Sequence, residues 1–230
     1  MAELWVCDLG LVPYAEALAL QLRLREARQA DEIPDTLLLL EHPAVYTRGR
    51  RSTPDELPLG EAFYAAQGIE IVDVDRGGRV TYHGPGQLVG YPIMRIGDII
   101  GYLRTMEHAI VSALAQEGIE AQGACACERP TGVWTGGAKI ASIGVHVSRR
   151  VSTHGFAVNA ENDLEPFEWI VPCGLEGVQI TSIQRESGRA DNLAGFRALM
   201  AQEFAVAFER SPRHVPGEQL LGALGAAVAG

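Results

Sequence analysis

The sequence predicts an α+β domain. Helical patterns lie toward both ends of the chain, and short apolar runs separated by glycine turns fill the region between them. There is no regular strand–helix alternation of the kind that builds a parallel α/β sheet. Pro13 suits the first turn of a helix reaching about Arg28, with Tyr14, Leu18 and Leu22 on one face. Residues 36–40, apolar after Thr36, have the composition of a buried strand. Residues 59–67 form a short helix closed by Gly68, followed by a strand over 69–74. The Gly77-Gly78 pair turns into a strand over 79–83, which Gly84-Pro85-Gly86 separates from another over 87–96. Asp98 caps a helix that runs to about Glu117 and stops at Gly118. Residues 132–135, 139–148 and 151–159 are strands, the last two joined near Arg149-Arg150. Asp163 caps a short helix to Trp169, and residues 193–208 form the last helix, with Phe196, Met200 and Phe204 in line. No repeat or low-complexity tract divides the chain, so residues 1–230 are expected to be one domain, with 211–230 as a loosely packed tail.

The composition is that of a folded protein, with 230 residues, 47% hydrophobic and 21% charged, which excludes disorder, collagen and coiled coil. Nineteen basic residues face 29 acidic ones, a formal net charge of −10, so neither nucleic acid nor an anionic membrane is an expected partner. No apolar run approaches the ~20 residues that cross a bilayer. The first ten residues carry Glu3 and Asp8 where a secretory leader has a basic flank and an apolar stretch, so a cytoplasmic protein is expected. Four cysteines, Cys7, Cys125, Cys127 and Cys173, are too few for a disulfide scaffold. Cys125 and Cys127 lack further ligands at suitable spacing, so no metal is expected. Of the 19 basic residues only Lys139 is a lysine. Arginine keeps its charge whereas lysine can lose its proton in a suitable site. A unique lysine therefore suggests an amine that titrates, and a codon bias that spared one lysine is the alternative.

Four segments combine residues suited to chemistry. Arg76-Gly-Gly-Arg-Val-Thr-Tyr-His-Gly-Pro-Gly-Gln87 has glycines that let backbone approach a ligand closely, and it is neither a Walker A loop nor a dinucleotide fingerprint. Its alternative is a pair of hairpin turns. Lys139 follows a Gly-Gly turn and opens Lys139-Ile-Ala-Ser-Ile-Gly144; a solvated hairpin lysine is the alternative. His154-Gly-Phe-Ala-Val-Asn159 reads as a strand whose histidine is a structural hydrogen-bonder rather than a catalyst. Pro172-Cys173-Gly174 sets a cysteine on a tight turn, able to present a thiol to a cleft or to pack as a small hydrophobe.

Together these segments, with Glu41-His-Pro-Ala-Val-Tyr-Thr47 and Gly49-Arg-Arg51, resemble the lipoyl(octanoyl) transferases, in order and at family-like spacing from about residue 36 to 183. The resemblance implies the biotin and lipoate protein ligase fold, a mixed central β-sheet plus a smaller sheet flanked by helices. It implies transfer of octanoate from octanoyl-acyl carrier protein to a lysine of lipoyl domains, in 2-oxoacid dehydrogenases and the glycine cleavage H protein, with no cofactor. Cys173 would be the acyl acceptor and Lys139 its partner. Arg76, Gly77, Gly78, Arg79, Val80, Thr81, Tyr82 and His83, then Ser142, Ile143 and Gly144, then Gly155, Phe156 and Ala157, would line the acyl and pantetheine site. His83 would position substrate rather than react.

A free thiol is only a few per cent ionised at pH 7, and a neighbouring ammonium would raise that fraction. Arg48, Arg50 and Arg51 form the tightest basic cluster, followed by Arg149 and Arg150, and the first is the expected landing surface for an acidic carrier. The rivals are an ATP-dependent lipoate or biotin ligase, which needs no nucleophilic cysteine, a thioesterase using the same thiol on water, and a non-catalytic carrier-binding module.

Overall fold

A computed structural model describes residues 1–124, 131–171, 178–190 and 193–227. The chain opens with strand β1 (Ala2–Leu11), helix α1 (Tyr14–Gln29), strands β2 (Asp35–Glu41) and β3 (Val45–Arg48), and helix α2 (Glu61–Ala66). Strands β4 (Glu70–Asp73), β5 (Thr81–His83) and β6 (Gln87–Ile93) follow, then helix α3 (Ile99–Gln116). Strands β7 (Gln122–Gly123), β8 (Gly132–Thr135), β9 (Ala138–Ser148) and β10 (Val151–Asn159) lead to helices α4 (Ile183–Ser187) and α5 (Leu193–Ala207), strand β11 (Arg210–His214) and helix α6 (Gly217–Ala227).

The strands make an eight-stranded sheet in the order β11-β1-β2-β6-β10-β9-β8-β7 and a three-stranded sheet in the order β4-β3-β5. Both sheets are mixed. β1 is parallel to β2 and β11, β2 through β8 pair antiparallel, and β3 is parallel to β4 but antiparallel to β5. The α+β expectation holds, with a βαβ unit in each sheet, β1-α1-β2 in the large one and β3-α2-β4 in the small one.

The large sheet is buried on both faces, and β2 shows why an unbroken apolar run was needed. Successive side chains of a strand point to opposite faces. Leu37 and Leu39 enter the core shared with Met106 and Ile110 of α3 and Phe196, Met200 and Phe204 of α5. Leu38 and Leu40 enter the opposite core, with Ala17 and Leu24 of α1 and Leu220 and Leu224 of α6. Tyr46, Tyr64, Tyr82 and Phe167 form a third cluster around the small sheet.

The short helix expected from Asp163 to Trp169 is a single turn, Glu165–Phe167, and β3 and α4 were not anticipated. Three further differences have a physical reason. The first ten residues form β1, which the acidic Glu3 and Asp8 disguised. The buried face of α1 is Tyr14, Ala17, Gln21, Leu24 and Ala27, rotated from the Tyr14/Leu18/Leu22 face, because Gln21 accepts the His154 N–H at 2.8 Å. The expected loose tail instead pairs β11 with β1 and packs α6 through the buried Leu220 and Leu224 into the core it shares with α1; its glycines and alanines concealed that helix. At the start of α3, Asp98 accepts hydrogen bonds from the N–H groups of Ile100 (3.2 Å) and Gly101 (2.6 Å), as its sequence position predicts.

Two substitutions should separate packing from capping. Leu38→Ala should lower the unfolding free energy by about 2–5 kcal/mol, and Asp98→Ala by about 1 kcal/mol. Urea unfolding at pH 7 checks the order of the two.

Candidate active site

A cleft of about 640 Å³ lies where the small sheet leans against β9 and β10 of the large one. Its near wall is the segment from Arg76 to Thr81, and its floor is Ser142–Val145 of β9 with Gly155–Ala157 of β10. Gly144 and Gly155 sit opposite each other in the β9–β10 register. A Cβ on Gly144 would stand 2.9 Å from the Gly77 carbonyl oxygen, and the Gly77 N–H donates to the Val145 carbonyl at 3.0 Å. The glycines thus bring the two sheets together backbone to backbone, the close approach their presence in sequence suggested.

Buried side chains brace the near wall. The Arg76 guanidinium, 7% exposed, donates to the Thr47 carbonyl at 2.8 Å and the Thr47 hydroxyl at 2.7 Å. The Glu56 carboxylate, buried, pairs with Arg79 at 2.5 Å and accepts the Val80 N–H at 3.1 Å. The N–H groups of Arg50 and Arg51 donate to the carbonyls of Arg76 and Gly78, both at 3.1 Å, which sets those two exposed arginines at the cleft.

Lys139 lines the cleft at the start of β9 and is 3% exposed, which removes the solvated-hairpin alternative. Its ammonium stands 5.7 Å from the centroid of the Trp134 ring. Its backbone donates to Gln179 at 2.8 Å and accepts from Thr181 at 3.0 Å. Cys173 lies outside the described residues, as do Cys125 and Cys127. The flanking chain is anchored on both sides: Val171 donates to the Glu56 carbonyl at 3.0 Å, and residues 179–181 pair with Lys139.

Of the other fourteen expected site residues, thirteen line the cleft. Tyr82 does not: alternation along β5 sends it to the far side, where it packs against Phe167 with ring centroids 5.5 Å apart, while Thr81 and His83 face the cleft. Tyr14, Tyr91, Ile99, Leu103 and Val145 also line the cleft and were not anticipated. Tyr14 carried one signal, its place just after Pro13 at a helix start; Tyr91 carried none.

A polar network fills the cleft's remaining side. His154 is buried with φ +57°, a left-handed conformation that costs a non-glycine residue on the order of 1 kcal/mol. Its ring is held at Nε2 by Asp75 (2.7 Å) and at Nδ1 by the Tyr14 hydroxyl (3.3 Å). The hydrogen bond from His154 holds the Asp75 carboxyl down at about 2. His42, fully buried, bonds the Val12 carbonyl through Nδ1 and the Tyr91 hydroxyl through Nε2, each at 2.7 Å. Burial pushes His42 down to about 4, and burial also pushes His83 well below the ordinary histidine value. No group of three or more histidine, cysteine or acidic side chains among the described residues is placed to hold a metal ion. No helix of the described residues is long and apolar enough to cross a membrane.

Residues 13–205 match the lipoyl protein ligase A/B catalytic domain. An octanoyltransferase of Geobacter sulfurreducens is 47% identical over 204 residues, covering 87% of this chain and 83% of that protein. One of Rubrobacter xylanophilus is 49% identical over 199 residues, covering 85% of this chain and 89% of its own length. Among solved structures, a putative lipoate protein ligase from Thermoplasma acidophilum superposes with a TM-score of 0.75 at 16% identity, covering all of this chain and 95% of that one. A biotin protein ligase from Aquifex aeolicus has a TM-score of 0.52 at 11% identity, covering 91% and 70%.

The depressed His42 gives a stability test. Its folded-state value, about 4, lies below the ordinary 6.5, so between those limits the unfolded chain binds more protons and stability is lost as pH falls. The loss between pH 7 and pH 5 should be about 2 kcal/mol from this residue. His83 and His154, also held below the ordinary histidine value by burial, add to it, so urea unfolding at the two pH values should show at least this loss, and a flat profile contradicts it.

Proposed function

The chain belongs to the octanoyltransferases of the lipoyl protein ligase A/B family, and we propose that it carries octanoate from acyl carrier protein to lysine side chains of lipoyl domains, the glycine cleavage H protein included, through a thioester on Cys173, in the cytoplasm. One observation carries this reading: the chain's only lysine is buried in the cleft and paired in backbone with residues 179–181, just beyond the segment that contains Cys173. The need for a thiol also separates this reading from an ATP-dependent ligase on the same fold.

Two half-reactions follow. With Lys139 as ammonium and Cys173 as thiolate, sulfur attacks the carrier thioester. The bond from the acyl carbon to the carrier sulfur breaks, and the departing thiolate takes a proton from Lys139. The enzyme then holds an octanoyl thioester beside a neutral Lys139 amine. In the second step the target lysine, as free amine, attacks the same carbonyl carbon. The bond to Cys173 breaks, Lys139 takes the proton released by nitrogen, and the thiolate–ammonium pair is restored. Main-chain N–H groups along the glycine-rich walls are the available donors for the oxyanion of each tetrahedral intermediate. Ile99, Leu103 and Phe156 give the cleft the apolar surface an eight-carbon chain requires.

For the carrier, the basic cluster narrows to two residues. Arg48 is held by Asp73 at 2.7 and 2.9 Å and lies 3.7 Å from Glu61, whereas Arg50 and Arg51 are exposed at the cleft. We assign the acidic carrier to these two.

Intact mass after mixing the protein with octanoyl-acyl carrier protein should show one octanoyl group, mapping to Cys173 and discharged by a lipoyl domain. A protein that needs ATP and free lipoate instead would overturn the reading. Lys139→Arg keeps a cation but removes the base, so amide formation should be lost while some acylation remains; equal loss of both steps would remove the base role. Reversing Arg50 and Arg51 to Glu should raise KM for the carrier roughly tenfold and flatten its salt dependence; unchanged kinetics would exclude these arginines as the landing surface.

A further inference from the structure

We propose that a β-bulge at Ile140, together with Gly132 and Glu107, seats the Lys139 side chain in the cleft, and that Glu107 is a positioning residue for both half-reactions. The inference rests on the octanoyltransferase reading above, which makes this lysine the carrier of the proton.

A regular strand would send Lys139 elsewhere. Between β8 and β9, Gly132 lies opposite Ser142 and Val133 opposite Ala141, but Trp134 then lies opposite Lys139. β9 therefore carries one residue more than β8 at this point, and that residue is Ile140. Strict alternation would place Lys139 on the face of Ala141, which is the core face. The bulge instead lets Ile140 and Ala141, neighbours in sequence, both enter the core that holds Val133. Lys139 is turned to the face of Ser142, and both line the cleft.

Gly132 supplies the room. A Cβ there would stand 2.7 Å from Cε and 3.3 Å from Nζ of Lys139, so the end of the lysine occupies the space that the glycine leaves. Trp134, two residues further along the same face of β8, is the cross-strand partner of Lys139, and its ring bounds the other side of the seat.

Glu107 fixes the glycine from α3. Its carboxylate is buried, accepts the Gly132 N–H at 3.3 Å through Oε1 and pairs with Arg104 at 2.6 Å through Oε2. Arg104 also donates to the Ala124 carbonyl, and the Ala124 N–H donates to the Gly132 carbonyl at 3.0 Å. The remaining buried positions of α3 are aromatic or aliphatic, Tyr102, Met106, Ile110 and Leu114 among them. A carboxylate on that face is costly to bury unless its hydrogen bonds are made, and the ones it makes lead to the lysine's seat. In both half-reactions Lys139 must exchange a proton with a reacting atom, so its nitrogen has to stand in one place. A displacement of about 1 Å can cost on the order of 100-fold in rate.

Because the chain has a single lysine, its position can be read directly: protein labelled with carbon-13 at lysine Cε gives one such resonance. Glu107→Met removes the acceptor, whereas Glu107→Gln keeps an oxygen for the Gly132 N–H. In full-length protein, Glu107→Met should move the resonance and lower kcat for acylation by octanoyl-acyl carrier protein and for discharge to a lipoyl domain, each roughly 10- to 100-fold, with KM for the carrier within about twofold. Glu107→Gln should return the resonance to the parent position and both rates to within about threefold. Gly132→Ala, whose Cβ would meet Lys139 Cε, should also move the resonance, and it carries the test if the Glu107→Met protein does not fold. An unmoved resonance with unchanged rates in Glu107→Met would overturn the proposal. Rates that fall while the resonance stays would overturn it too, since Glu107 would then serve packing alone. So would a Glu107→Gln protein as impaired as Glu107→Met, because the bond to Gly132 would not be what matters. A parent protein that forms no octanoyl enzyme would instead remove the octanoyltransferase reading, while the resonance in Glu107→Met would still decide whether Glu107 places the lysine.

Discussion

The cleft depends on one seam, where glycine backbone from the small sheet's loop meets the large sheet and no side chain intervenes. The Gly77 N–H reaches the Val145 carbonyl, and Gly144 leaves room for the Gly77 carbonyl. On the other side of the loop, a Cβ at Gly49 would stand 2.6 Å from the Gly78 carbonyl oxygen. Any L side chain at Gly49 or Gly144 would push the loop away from its neighbour, and the cleft wall would move with it. Arg76 occupies the corner that this approach creates. Burying a guanidinium is costly unless its N–H groups are satisfied, and the carbonyls of Thr47 and Gly77 with the Thr47 hydroxyl supply those partners.

From that seam the cleft gathers two kinds of side chain. Cationic residues line it, Lys139 on β9, Arg76 and Arg79 on the loop, and Arg50 and Arg51 at the surface. Beside them the rings of Tyr14, His42, His83 and Tyr91 cluster, with His42 and His83 kept neutral at pH 7 by burial. Glu56 links the parts, since its carboxylate holds Arg79 and Val80 while its own carbonyl accepts the N–H of Val171.

Much of the fold was legible because it obeys local periodicity. The long helices α1, α3 and α5, and strands β2, β4, β8, β9 and β10, fall near their expected places. The failures have a common cause. β1 is stable as a partner of β2 and β11, and α6 because Leu220 and Leu224 reach a core that residues far earlier in the chain build. Gln21, a polar residue on the buried face of α1, is there because a β10 main-chain N–H needs an acceptor. Tyr82 shows the opposite case: strand alternation alone could have turned it out of the site, and motif membership hid that.

What the sequence determined by itself was the chemical vocabulary: a unique lysine, a cysteine between Pro172 and Gly174, and glycines at the points of close approach. These follow from residue type and short spacing, which a linear chain displays. What only the tertiary structure decided was which partners hold the histidine rings beside the cleft. A histidine tautomer is set by its partner, and those partners lie 30 positions away for His42 and Val12, 49 for His42 and Tyr91, and 79 for His154 and Asp75. No local pattern records a hydrogen's direction, because that direction exists only once folding has brought donor and acceptor together.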